Sequence, residues 1–106
     1  MGGRLDIVME RVRELLEIPA DARRAPSRDR IESTLTEGYA EALALDGERL
    51  RLARQIDQIT ARLARGEENH PEELRRLMAR TEATEQDLAR LRALLATLRN
   101  RAVRAA

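Results

Sequence analysis

Hydrophobic residues recur at alternating intervals of three and four positions in three separate stretches of the chain, which is the pattern of amphipathic helices. The first stretch predicts a helix over residues 3 to 18, ended by Pro19. Its apolar positions are Leu5, Val8, Met9, Val12, Leu15 and Leu16. This stripe covers only about three turns, and an isolated helix of that length is marginal in water.

Two longer stretches keep the alternation as heptad seams, which predicts two long helices over residues 28 to 65 and 71 to 104. Residues 19 to 27 carry two prolines without an apolar pattern and read as a linker, and Ser27 is a candidate cap for the second helix. Residues 66 to 70 form the predicted turn, where Gly66 ends one helix, Asn69 or His70 caps the next and Pro71 begins it. The seam positions of the second helix are Ile31, Leu35, Gly38, Ala42, Leu45, Arg49, Leu52, Ile56, Ile59 and Leu63. Those of the third helix are Leu74, Leu77, Thr81, Thr84, Leu88, Leu91, Leu95, Leu98 and Ala102.

The order of charges predicts how these two helices pair. Residues 29 to 48 hold six acids and one arginine, whereas residues 88 to 106 hold five arginines and no acid. Residues 49 to 65 are mainly basic and residues 67 to 87 mainly acidic. Because an antiparallel hairpin places each acidic block beside a basic one, we expect an all-α fold built on an antiparallel coiled-coil hairpin in a single domain of residues 1 to 106.

Two glycines lie inside the second predicted helix, although each costs about 1 kcal/mol relative to alanine there. Gly38 falls on the seam near Leu95 and Leu98, where a small residue either leaves room for a large one or lets the two backbones approach closely. Gly47 falls on a second short stripe with Tyr39, Leu43 and Leu50. We expect the first helix to dock on that stripe, with Leu94 widening the apolar face of the third helix, either as a three-helix base or within a dimeric four-helix core.

Composition removes several classes of function. The 106 residues include no cysteine and a single aromatic residue, Tyr39, so disulfides, thiolate chemistry and aromatic base stacking are absent. All twenty basic residues are arginines, but the net charge is only +1, and we expect no nucleic-acid binding. No apolar run is long enough to cross a membrane. We expect a cytoplasmic protein without a metal or cofactor.

Two positions have candidate chemistry. The segment RGEENHPEE forms an acidic turn with Glu67, Glu68, His70, Glu72 and Glu73, and it resembles the acidic coiled-coil tip of the Gre transcript-cleavage factors. That resemblance implies an alternative function, a regulator that inserts its tip into a machine such as RNA polymerase. Arg49 interrupts the seam, and we expect its guanidinium to reach Glu85 or its charge to fix the register of the two helices. The alternative is a buried anion site or a catalytic cation. The segment LRLARQIDQI is similar to the all-helical chorismate mutases, but they need several cations around the substrate and only Arg49 points inward.

The interpretation that these patterns favour is a non-enzymatic adaptor or scaffold that acts through helix packing. Its expected partners are itself, as a homodimer, and an unidentified protein. The predicted interaction surface consists of Gly38, Tyr39, Leu43, Gly47, Leu50 and Leu94.

Overall fold

The fold is all-α, as predicted. The structure is a computed structural model that describes residues 3 to 19, 25 to 67 and 71 to 105. These residues form three helices and no strand: α1 (Arg4–Glu17), α2 (Arg28–Ala64) and α3 (Pro71–Ala105). Helices α2 and α3 make an antiparallel hairpin, to which the short α1 is added. Within the described ranges, no helix is both long and apolar enough to cross a membrane.

Local sequence signals explain where the helices begin and end. The Ser27 hydroxyl oxygen accepts a hydrogen bond from the Arg30 backbone N–H at 3.2 Å, which confirms the predicted cap of α2. At the other end, Gly66 adopts the left-handed conformation with a φ of 74°. The Glu67 N–H then donates to the Arg62 carbonyl at 3.0 Å, which satisfies a carbonyl that the helix end leaves open. The cap residues suggested for α3, Asn69 and His70, lie outside the described residues.

The chain divides into two compact units. The first unit comprises Met1–Leu43 with Ala89–Ala106, and the second comprises Ala44–Leu88. The core of the first unit is aliphatic, drawn from all three helices, and it includes the most deeply buried side chains of the described chain. These core residues are Val8, Met9, Val12 and Leu15 of α1, Ile31 and Ala42 of α2, and Leu91, Leu95 and Leu98 of α3.

The second unit has a thinner core. Its buried apolar side chains are Leu52, Ile59 and Leu88, and they are joined by Thr84, which is 7% exposed. The Thr84 hydroxyl donates to the Arg80 carbonyl one turn back at 2.9 Å, so burial leaves no polar atom unpaired there. At a seam position such as this one, a threonine side chain fills less apolar volume than a leucine side chain would. Each fully buried aliphatic side chain contributes about 1.5 to 3 kcal/mol, so the second unit is held by a smaller apolar core.

Helix α1 docks inside the first unit through its apolar stripe and through polar contacts at both ends. Arg11 forms an ion pair with Glu37, and Arg4 approaches Glu41 at 3.8 Å. At the other end, Arg101 Nη1 of α3 donates to the carbonyl oxygen of Leu15 at 3.1 Å and also to that of Leu16. Carbonyls at a helix C-terminus lack partners within the helix and carry partial negative charge, so a guanidinium is a suitable cap.

The predicted addition of α1 to the hairpin is confirmed, but the stripe of α2 predicted for that contact is wrong. Helix α1 contacts the flank of α2 that carries Glu37 and Glu41, whereas Leu43, on the predicted stripe, is 73% exposed. The physical reason is that a third helix lies in the groove between two paired helices and shares their seam. The stripe of α1 is buried in the same unit as the seam residues Ile31 and Leu98, so α1 does not need a separate stripe of α2.

Candidate interaction surface

The first unit has an open groove between α2 and α3, on the flank of α2 opposite the one that α1 contacts. It encloses about 450 Å³ and is lined by Tyr39, Arg92, Leu95, Ala96, Arg99, Asn100 and Val103. Positions 39 and 41 lie about 160° apart around a helix of 3.6 residues per turn, so Tyr39 and the α1 contact Glu41 face nearly opposite directions. We call these seven residues the Tyr39 groove.

The walls of the Tyr39 groove expose apolar surface. Tyr39 is 46% exposed and Val103 is 69% exposed, and Leu43, one turn beyond Tyr39 on α2, is 73% exposed. Single exposed apolar residues are common on protein surfaces, whereas a cluster of them beside a groove is a candidate interaction site. Tyrosine is well suited to such a place because its ring is rigid and its hydroxyl tolerates water.

Close packing forms the floor of the groove. Leu95 is 1% exposed and its side chain occupies the space above Gly38, where a Cβ atom would collide with Leu95 Cδ2. The interpretation of Gly38 as a space for a large seam residue is therefore confirmed. Leu94, the one α3 residue of the predicted interaction surface, is half-buried. Gly38 thus shapes the surface from below and is not itself available to a partner.

The groove is also positively charged along α3. Arg92 and Arg99 are separated by seven residues, so they lie on the same face of the helix two turns apart. Neither forms an ion pair with any residue in the described part of the chain. Small and apolar side chains, Ala96 and Val103, lie on the same lining. This combination suits an occupant that has both apolar and acidic side chains.

Gly47 and Leu50 complete the predicted stripe, and both belong to the second unit. Apart from its chain neighbours and the backbone of its own helix, the described chain places a single atom within 4 Å of a Cβ at Gly47, Arg51 Nη1 at 4.0 Å. Leu50 is 46% exposed. The prediction that this chain buries Gly47 by docking α1 is therefore wrong, and the glycine has no packing role that these residues explain.

The guanidinium of Arg49 was predicted to reach Glu85, but it pairs with Asp46 instead. Its Nε and Nη2 atoms donate to Asp46 Oδ1 at 3.1 and 2.9 Å, and the side chain remains 41% exposed. An acid one turn away on the same helix is a nearer partner than one across the seam, and a half-exposed arginine avoids the cost of desolvation. Arg49 is thus a surface ion pair, and it does not form a buried anion site.

Glu48 is the junction of a small charge network in the second unit. It accepts a hydrogen bond from Arg51 at 2.8 Å and lies 3.4 Å from Arg80 of α3. The hydrogen bond from Arg51, with the positive charges of Arg51 and Arg80, holds the pKa of the Glu48 carboxyl below its usual value. The pair with Arg80 ties α2 to α3, and Arg51 together with Arg80 accounts for the lowered pKa without a catalytic role.

The acidic turn is described only in part. Glu67 accepts from Arg65 at 3.4 Å, and Glu72 and Glu73 occupy the exposed first turn of α3, where acids suit the positive end of the helix. Glu68 and His70 lie outside the described residues. In the portions of the chain with described coordinates, no three acidic or histidine side chains converge as a metal site would require.

No protein-family model matches this sequence, and no curated protein or solved structure is significantly similar to it.

Proposed function

We propose that the protein is a non-enzymatic interaction module, an adaptor or scaffold that binds other helices through the Tyr39 groove and the adjacent Leu43. The observation that carries this proposal is the contrast within the first unit between a fully buried aliphatic core and a groove whose apolar walls stay exposed. Leu91 and Leu98 are 0% exposed, whereas Val103, on the same helix, is 69% exposed.

The shape and chemistry of the groove support a helical ligand. It runs between two helices, as do the grooves that accept amphipathic helices in other helix-binding proteins. Its polar groups are the Tyr39 hydroxyl, the two arginines and Asn100, and all four are able to donate hydrogen bonds to a ligand. A catalytic site requires several polar groups aimed at one reacting atom, so this lining favours binding. The proposal includes a cytoplasmic location, with which a sequence that lacks cysteine is compatible.

Photocrosslinking tests the surface directly. A photoreactive amino acid is placed at Leu43, and in parallel at Ile7 and Met78, which are 53% and 56% exposed apolar residues away from the groove. Each variant is expressed in cells of the organism that produces the protein, and the cells are irradiated. The adducts are then identified by mass spectrometry. We expect a defined protein adduct at Leu43 and none at the two control positions.

The result that would overturn the proposal is an adduct at Ile7 or Met78 without one at Leu43, or no adduct at any position. Replacing Glu67, Glu72 and Glu73 together with glutamine should leave the Leu43 adduct unchanged. Loss of the adduct in that variant would instead place the functional surface at the acidic turn, which was the alternative suggested by the sequence.

A further inference from the structure

We propose that the occupant of the Tyr39 groove is a second copy of this chain, related by a two-fold axis that runs parallel to α2 and α3. This inference rests on the proposed function and specifies its partner. In this arrangement α2 of one copy lies over α3 of the other copy, and the contact occurs twice. Two identical contacts make an isologous, closed dimer.

The height of Tyr39 in the groove sets the register of that dimer. Within one chain, Tyr39 lies among Leu95, Ala96, Arg99 and Asn100 of α3. Rotation about a two-fold axis parallel to the helices leaves the position of every residue along the helix axis unchanged. Tyr39 of one copy therefore comes to the level of the partner's Ala96, whose small side chain leaves room for the ring. Leu43 and Val103 lie on the same face and are covered together with it.

Charge complementarity favours this axis. The face carries an acid on α2, Glu32, whose side chain is 56% exposed, and arginines on α3, Arg92 and Arg99. Placing α2 over the partner's α3 brings Glu32 within about one helical turn, or 5.4 Å, of the level of the partner's Arg99. An arginine side chain spans that distance. The other face-to-face axis, perpendicular to the helices, would place α3 over α3 and bring the arginines of the two copies together, which is unfavourable.

Glu32 is able to make this contact even though it already has a partner. It accepts from Arg28 Nε at 3.0 Å, an exposed pair within the first turns of α2. A carboxylate has about four acceptor sites on its two oxygens, so a second guanidinium can be bound as well. The pair with Arg28 also restrains the Glu32 side chain on the face that the dimer uses.

Charge exchange tests the placement of the two copies. Sedimentation velocity is measured over a range of concentrations for the wild type, for Arg99→Glu, for Glu32→Arg and for an equimolar mixture of the two variants. We expect the wild type to dimerise, and each variant alone to raise the dissociation constant about tenfold or more, because two attractive pairs become repulsive. The mixture should form heterodimers with nearly wild-type affinity, because both pairs are then attractive again: one is the native Glu32–Arg99 pair and the other has its two charges exchanged.

Arg104→Glu is the matched control. It makes the same change of charge on α3, but position 104 lies about 180° around the helix from Leu95 and is exposed, so the dissociation constant should change less than twofold. Circular dichroism confirms that every variant remains helical. A wild type that stays monomeric at every concentration overturns the inference, as does a dimer that the two variants weaken but their mixture does not restore.

These outcomes are separable from failure of the proposed function. A Leu43 photoadduct to a different protein, together with a monomeric purified chain, supports the interaction module and rejects the second copy as its partner. A Leu43 adduct that joins two copies of the chain supports both proposals.

Discussion

Two glycines in the same helix should respond to alanine in opposite directions. Gly38 and Gly47 both lie inside α2, where replacement by alanine gains roughly 0.5 to 1 kcal/mol from the reduced entropy of the unfolded chain and the higher helix propensity. Their surroundings differ. A Cβ at Gly47 meets only Arg51 Nη1 at 4.0 Å, whereas a Cβ at Gly38 collides with Leu95 Cδ2 and lies 3.2 Å from both Cδ1 and Cγ.

The size of the penalty at Gly38 depends on whether Leu95 has space to move. Leu95 is 1% exposed and packs in the core of the first unit, so three of its carbon atoms must shift within a filled region. Adding one methylene to a well-packed core costs about 1 to 3 kcal/mol. After the propensity gain is subtracted, Gly38→Ala should lower the free energy of unfolding by about 1 kcal/mol. Gly47→Ala should raise it by about 0.5 to 1 kcal/mol.

Urea unfolding followed by circular dichroism at 222 nm measures both changes at a fixed protein concentration. A second background gives a sharper test. Leu95→Ala alone should cost about 2 to 5 kcal/mol, but it removes the colliding atoms, so Gly38→Ala made in that background should now stabilise by about 1 kcal/mol. Stabilisation by Gly38→Ala in the wild-type background, or the same effect in both backgrounds, would refute the assignment of Gly38 as the space for Leu95.

Two further variants test how the helices are held together. Arg101→Ala removes the donors to the Leu15 and Leu16 carbonyls. It should destabilise the docking of α1 by about 1.5 to 3 kcal/mol, the usual range for hydrogen bonds that involve a charged group. Amide hydrogen exchange in residues 4 to 17 should then accelerate, and unchanged exchange would contradict the capping role of Arg101. Glu48→Gln should alter the response to acid. The folded pKa of Glu48 is lowered, so its stabilising contribution is present above its ordinary value of 4.5 and is lost as the pH falls through the folded pKa. The variant should be slightly less stable at pH 7 and should lose less stability on acidification, as measured by thermal melts from pH 7 to pH 3; parallel pH profiles for the two proteins would contradict the role of Arg51 and Arg80.

The hairpin could be predicted from the sequence because the features that determine it are local or repeat along the chain. Heptad spacing depends only on the helix period, and Ser27 and Gly66 act on the backbone of their own neighbours through the bonds to Arg30 and from Glu67 to Arg62. The order of the charged blocks added the direction of pairing. Gly38 was assigned correctly because antiparallel pairing places it near Leu95, and that assignment needed no knowledge of side-chain conformation.

The docking side of α1 was not accessible in the same way. Two flanks of α2 border the seam, and the sequence pattern offers an apolar stripe on only one of them, through Tyr39 and Leu43. The actual contact uses the other flank, with the Arg11–Glu37 ion pair and the Arg101 cap. Each is a single polar contact between residues far apart in the sequence, 26 positions in the first case and 86 in the second. A periodic pattern of residues does not reveal such contacts. Arg92, Arg99 and Val103 were not assigned to the surface, although their spacing of seven and four residues places them on one face of α3 and was visible in the sequence.

The side on which α1 docks determines what remains for a partner. Had α1 covered Tyr39 and Leu43, the first unit would have been closed and the arginines of α3 would have bordered a filled site. Because α1 lies instead against Glu37 and Glu41, it uses acids of α2 on that flank and leaves Glu32, Tyr39 and the α3 arginines on the opposite one. That free face has one acid, Glu32, on α2, two arginines, Arg92 and Arg99, on α3 and exposed apolar side chains near them. A surface with this order is complementary to its own copy turned about an axis along the helices, so the same contacts that dock α1 also prepare the face through which we propose that two chains associate.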